Sequence, residues 1–239
     1  MKWQGDYLSN AAQQRYKKNF GGKGILLGGV PGVLPAKVTI IGGGVAGTEA
    51  AKIATGMGAN VTILDKSLKR IRELEIIFGG KVTILYANQN SLEENTKGAD
   101  LLIGAVLVPG AKAPKVVTKE MVYQMSPGSV VVDISIDQGG CIETSKPTTH
   151  SNPIYEDNGI LHYCVTNIPA AASRTATRAL ENATLPYIIE LARNGYKKAF
   201  EENRGFLEGL NIYHDAITHK SVADSFSLNY IAPSEILVA

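Results

Sequence analysis

Val38-Thr39-Ile40-Ile41 runs directly into Gly42-Gly43-Gly44-Val45-Ala46-Gly47, and these glycines pass into Thr48-Glu49-Ala50-Ala51-Lys52-Ile53-Ala54 with no polar loop between. The first run reads as a buried strand, the last, rich in strong helix formers, as a helix. A strand that becomes a helix over so few residues needs glycine at fixed places. Gly42 permits the tight turn, Gly44 lets backbone approach a pyrophosphate, and Gly47 lets the helix pack closely on the strand. The helix N-terminus then offers free N–H groups and the positive end of its dipole to an anion. The next apolar run, Asn60-Val61-Thr62-Ile63-Leu64, ends on Asp65, an acid about 20 residues beyond the glycines, where the ribose hydroxyls of a dinucleotide are bound. Strand, helix and acid together favour a dinucleotide site. The blander alternative is a set of glycines that only turn the chain and an Asp65 that only caps its strand. A carboxylate at this place bonds the 2′-hydroxyl of NAD and repels the 2′-phosphate of NADP, which selects NAD. Lys66 and Arg70 soften that exclusion, because either side chain could reach a phosphate or simply decorate a solvated helix face.

Further along the chain the same alternation recurs. Lys37 to Ile41, Asn60 to Leu64, Lys81 to Tyr86, Leu101 to Val106, Ser129 to Ile134 and Leu161 to Val165 are nearly continuous apolar runs, as expected of strands buried on both faces, and helical patterns separate most of them. Parallel strands need crossover connections, and right-handed crossovers place helices over both faces. The expected fold is therefore α/β, a Rossmann-type doubly wound parallel sheet followed by a mostly helical C-terminal segment. The texture changes near Pro169. The division read from the sequence is a divergent segment over 1–20, a dinucleotide-binding domain over 21–172 and a helical segment over 173–239. In the first segment Trp3, Tyr7, Ala11 and Tyr16 fall on roughly one face of a short helix. The Gly-rich stretch from Gly21 to Gly32 reads as a connecting loop.

Charge and cysteine usage exclude several classes. Lys and Arg number 24 against 22 for Asp and Glu, a net charge of +2 that gives no broad positive field for nucleic acid or anionic lipid. Cys141 and Cys164 are too few for a disulfide framework and too isolated for a zinc site, so neither a structural nor a catalytic metal is expected. Both read as inert core thiols, for no His, Lys or local motif marks either one. His150, His162, His214 and His219 have no metal-ligand spacing. No apolar run approaches the roughly 18 residues of a spanning helix, nor is a signal peptide evident, and a cytoplasmic location is expected.

Four blocks in order resemble the alanine dehydrogenase family: Pro31 to Lys37, the glycine-to-acid stretch from Ile40 to Asp65, Ile103 to Pro114, and Val132 to Cys141. The resemblance covers about Gly21 to Ala239, continuing through His162 to Val165 and Asn182 to Tyr187. It implies oxidative deamination: L-alanine gives hydride to NAD, the imine is hydrolysed to pyruvate and ammonia, and the reverse reaction aminates pyruvate. By motif match it implies a cofactor site formed by Gly42, Gly44, Val45, Ala46, Gly47, Asp65 and Arg70. Val106, Leu107, Ile134, Ser135, Ile136, Asp137, Val165, Thr166, Asn167 and Ile168 complete that site around the nicotinamide. Asp137 is the implied catalytic residue, working with a His on proton transfers to water and imine, and Asn167 suits the carboxamide. On the residues alone, Asp137 in its Gly-flanked loop reads more readily as a turn residue than as a catalytic one, and Asp133 as a satisfied strand-end carboxylate.

Members of that family carry an N-terminal substrate domain before this region, with the Lys, Arg and His that handle the substrate. This chain is expected to lack it, as a truncation, a split gene or a remnant. A separately encoded N-terminal half and a homo-oligomer are the partners implied. An NAD-holding subunit without catalysis of its own remains the alternative function, with a transhydrogenase-like subunit behind it. Leu180, Leu185, Ile188, Ile189 and Leu191, together with Phe200, Phe206, Leu207 and Leu210, are expected to form apolar faces that need a partner.

Overall fold

The computed structural model describes residues 21–108 and 110–236; the expected helix around Trp3 to Tyr16 lies outside them. β1 (Lys37–Ile41), β2 (Asn60–Asp65), β3 (Thr83–Tyr86), β4 (Leu101–Gly104), β5 (Val130–Asp133), β6 (Ile154–Asp157) and β7 (Ile160–Tyr163) form one sheet in the order β3-β2-β1-β4-β5-β7-β6. All neighbours are parallel except β6 and β7. α1 (Val45–Gly56), α2 (Leu68–Phe78), α3 (Gln89–Lys97) and α4 (Lys119–Tyr123) connect the strands up to β5. The doubly wound class is therefore the one observed, with an antiparallel edge added. That edge follows from Asn158-Gly159, whose φ angles of 53° and 77° make the tight turn that a two-residue hairpin needs.

Alternate residues of each strand feed two cores. Ile40, Ile63, Ile103 and Val132 pack with Ala50, Ala51, Ala54 and Leu74 on one face. Ile41, Leu64, Leu102 and Val131 pack with Leu92, Met121, Val122 and Ile142 on the other. Both faces are covered, so the strands carry no polar alternation. Helix ends are fixed locally. Ser67 caps α2 by accepting from the Arg70 N–H (3.2 Å), left-handed Gly79 ends it, and Asn88 with Ser91 forms a capping box on α3.

His162 lies wholly inside, on β7. Nδ1 faces the carbonyl of Ile160 at 3.0 Å and Nε2 faces the Thr144 hydroxyl at 2.8 Å, while the ring stacks on Tyr155 at 4.8 Å. These partners fit a neutral ring that donates from Nδ1 and accepts at Nε2. Burial pushes its pKa below the ordinary 6.5. Between the folded value and 6.5 the unfolded chain binds the extra proton, so stability falls as pH drops below about 6.5. Thermal melts from about pH 7 to 5.5 should show a smaller loss in His162→Gln than in the wild type; equal losses would remove His162 as the cause.

Residues divide into two compact units, one holding the described residues through Leu107 with Ala113–Ala172, the other holding Val108–Lys112 with the chain from Ser173 onward. In the second, α5 (Ser173–Glu202) is broken at Gly195 (φ 71°, ψ 164°). α6 (Arg204–Glu208), a β8–β9 hairpin (Ile212–Tyr213, Ala216–Ile217), α7 (Lys220–Phe226) and α8 (Pro233–Ile236) follow. Leu180, Leu185, Ile188, Ile189 and Leu191 are exposed, Leu180 by 65%. The second expected face is not open. Phe200 is buried, and Phe206, Leu207 and Leu210 are half-buried. Phe206 packs edge-on against Phe200 and Tyr187, so this unit covers that face from within. No helix among the described residues is long and apolar enough to cross a membrane.

Candidate functional site

From β1 the chain moves outward through β2 and β3, then returns to place β4 on the other side of β1. Connections diverge there, and the crevice beyond the carboxyl ends of β1 and β4 is where such sheets bind ligands. The glycine turn lies in it. Gly42 has φ +99°, and a Cβ there would stand 2.7 Å from the Ala105 carbonyl oxygen. A Cβ at Gly47 would fall 2.0 Å from the Gly42 carbonyl oxygen, so only glycine lets α1 lie this close to β1. Gly44 differs: it is exposed, and a Cβ there would meet nothing within 4 Å. No side chain caps α1, and no acidic residue occupies its first turn. The first helical bond runs from Thr48 N–H to Gly44 O (2.9 Å), which leaves the N–H groups of Val45 and Ala46 without helical partners. An open cradle beside donors that no described residue caps fits a pyrophosphate.

Asp65, at the end of β2, accepts the Gly43 N–H at Oδ2 and the Ser67 N–H at Oδ1, both at 2.8 Å. It is thus a cap, yet each oxygen keeps a free lone pair for a hydroxyl donor. The Gly43 carbonyl is held as firmly. Arg70 Nε donates to it at 2.7 Å and the Thr48 hydroxyl at 3.0 Å, while other Arg70 nitrogens reach Thr48 Oγ1 (2.8 Å) and Glu73 (2.7 Å). Arg70 is therefore tied to the chain's own backbone rather than standing free on the helix; its guanidinium clamps the turn. Lys66 is exposed.

A second loop stands at the end of β5. The Asp133 carboxylate is fully buried and gathers three backbone donors: Ser135 N–H on Oδ1 (3.0 Å), with Cys141 N–H (2.9 Å) and Ile142 N–H (3.1 Å) on Oδ2. Burial pushes its carboxyl above the usual range, against the pull of these bonds. Lys115 Nζ donates to the carbonyls of Gly139 (2.7 Å) and Ile142 (3.1 Å), and Ala113 N–H to Gln138 O (2.9 Å). The loop bent in this way carries Asp137, exposed on a single 3-10 turn, Ile136–Gln138. Ser135 Oγ donates to Val106 O (2.6 Å), and Asn167 N–H donates to Asp137 Oδ1 (3.0 Å). The loops after β4, β5 and β7 are thereby joined at one sheet edge.

The structure thus brings Val106, Ser135, Asp137 and Asn167 together, and Leu107 is exposed beside them in sequence. Ile134 and Thr166 are half-buried. Ile136, Val165 and Ile168 turn their side chains into the core, so backbone is what they can offer a ligand. Asp133 and Lys115, which shape the loop, were not singled out as functional residues from sequence; the bland reading of Asp133 as a satisfied strand-end carboxylate is the observed one. Both thiols are buried, and burial raises Cys141 to about 12 and Cys164 to about 11, so neither is a nucleophile at neutral pH. No group of three or more metal-binding side chains is found among the described residues.

The family described as alanine dehydrogenase/PNT, C-terminal domain, matches residues 9–220. An alanine dehydrogenase of Halomonas elongata is 50% identical over 227 residues, 95% of this chain and 61% of that protein. Among solved structures, an L-alanine dehydrogenase superposes with a TM-score of 0.85 at 48% identity, covering 95% of this chain and 63% of the other. A transhydrogenase from Sinorhizobium meliloti gives 0.65 at 26% identity, with 82% and 57% covered. The chain spans about three fifths of the length of the alanine dehydrogenases it matches.

Proposed function

This chain belongs to the alanine dehydrogenase/PNT C-terminal domain family, and on that premise we propose that it is the NAD-binding portion of an L-alanine dehydrogenase, which converts L-alanine to pyruvate and ammonia and runs in reverse. The single observation that carries the cofactor reading is the Gly44 turn, open where a Cβ would sit and followed by helix N–H groups that have no helical partner and no side-chain cap among the described residues. Bound NAD supplies the hydride acceptor. The Gly44 backbone and the Val45 and Ala46 N–H groups would hold its pyrophosphate, on a turn that Gly42 and Gly47 make possible, and the free lone pairs of Asp65 would take the adenosine ribose hydroxyls. Arg70 serves this site by fixing the Gly43 carbonyl. Val106, Leu107, Ile134, Ser135, Ile136, Val165, Thr166 and Ile168 surround the nicotinamide through backbone and side chain, and the Asn167 amide meets its carboxamide.

Asp137 is the acid–base group. One carboxylate oxygen is held by the Asn167 N–H, which leaves the other for a proton moving between substrate nitrogen and water. The remaining substrate-handling groups come from outside the residues described, and a homo-oligomer in the cytoplasm is the setting the family suggests. The test is L-alanine-dependent reduction of NAD by the purified chain, alone and mixed with the N-terminal part of a relative. Asp137→Asn should cut the rate by about 100-fold or more while NADH affinity stays within about threefold. Equal rates would remove Asp137 from proton transfer. NADH binding with no alanine oxidation in any combination would leave a cofactor-binding module without catalysis.

A further inference from the structure

Asn167 adopts a left-handed backbone conformation, φ 51°, which asparagine tolerates better than most residues. Both peptide groups around its Cα are pinned from outside. Its N–H donates to Asp137 Oδ1 at 3.0 Å, and its carbonyl accepts the Ala170 N–H at 2.9 Å within the turn that follows and faces His150 Nε2 at 3.1 Å from outside that turn. A carbonyl can only accept, so Nε2 carries the hydrogen. Fixing the peptide on either side of one Cα fixes its φ and ψ, which set the direction of the Cα–Cβ bond and restrict the rotamers open to the side chain. The Asn167 side chain is exposed and makes no hydrogen bond of its own among the described residues. His150 is in turn carried by a short parallel pairing. Thr148 bridges Val165, its N–H donates to Cys164 O (2.9 Å), and its carbonyl accepts the Thr166 N–H (3.1 Å). The segment that delivers the imidazole therefore runs beside the one that ends in Asn167.

We propose that His150 is a positioning residue: its bond to the Asn167 carbonyl, added to that of the Ala170 N–H, holds the backbone from which the Asn167 amide reaches the nicotinamide and whose N–H steadies the Asp137 carboxylate. This rests on the NAD reading above. It predicts a loss confined to the nicotinamide half of the cofactor, because the hydrogen bonds that hold Asp65 and the Gly43 carbonyl run to Gly43, Ser67, Thr48 and Arg70 and not to His150.

Calorimetric titrations of the full chain with NADH and with ADP-ribose, which lacks the nicotinamide, separate the two halves. His150→Ala should weaken NADH about fivefold, the scale of one net hydrogen bond, and leave ADP-ribose unchanged. His150→Gln, whose amide can donate to the same carbonyl, should recover most of the loss. Unchanged NADH affinity in His150→Ala, an equal loss for both ligands, or no recovery in His150→Gln would each overturn the proposal and leave the NAD reading intact. A wild-type chain that binds neither ligand would overturn the NAD reading, and this inference with it.

Discussion

Gly47→Ala is expected to lower the melting temperature by roughly 6–12 °C, about 3 kcal/mol for a chain of this size, whereas Gly44→Ala leaves it unchanged. The added Cβ at position 47 would sit 2.0 Å from the Gly42 carbonyl oxygen and 3.3 Å from Ile40 Cγ2. Both belong to the β1 end, so α1 must move away from the sheet, and the core made by Ala50, Ala51 and Ala54 opens with it. At position 44 the φ of −62° suits any residue and the space is empty. The same short motif thus contains one glycine needed for packing and one whose open space only a ligand would use. Thermal melts of the two variants side by side check this; similar melting temperatures would mean that the close approach of α1 is not what requires glycine.

Asp133→Asn is the other substitution with a large expected effect, about 2–3 kcal/mol or roughly 4–12 °C. The carboxylate has a backbone donor on each oxygen, Ser135 on one side and Cys141 with Ile142 on the other. An amide of the same shape has one acceptor. Whichever way it turns, its NH2 faces an N–H donor, and a buried donor is left unpaired. Asp133 is also what bends the chain so that Asp137 stands on the site. NADH affinity should therefore fall along with stability. A variant as stable as the wild type, binding NADH equally well, would show that Lys115 and the Ala113–Gln138 bond hold the loop without it.

Much of the fold was legible because β1, β2, β4 and β5 are apolar runs that end on or at a glycine or a charge. The edge strand β6 was not. Ile154-Tyr155-Glu156-Asp157 carries polar residues and pairs on one side only, so it lacks the continuous apolar character used to find the others. The signal that could have found it is Asn158-Gly159, a hairpin turn pair directly before the apolar run of β7. At the site, the glycine spacing and Asp65 could be read because they lie within one βαβ unit. What Arg70 and Asp133 bond could not. The guanidinium of Arg70 reaches back 27 residues to the Gly43 carbonyl, and spacing along a chain does not say whether a cation faces a ligand or its own backbone. Asp133 looked ordinary at a strand end, and its importance lies in three N–H groups that only the folded loop aims at it.

Every cofactor role proposed for this chain depends on a dinucleotide pyrophosphate lying against Gly44. The measurement that tests it most directly is calorimetric titration of NADH into the wild-type chain and into Gly44→Ala. Saturable one-to-one binding by the wild type, weakened about tenfold or more in a variant that melts at the same temperature, is the predicted result. Equal affinity in the two proteins, or no saturable binding by the wild type, would contradict it.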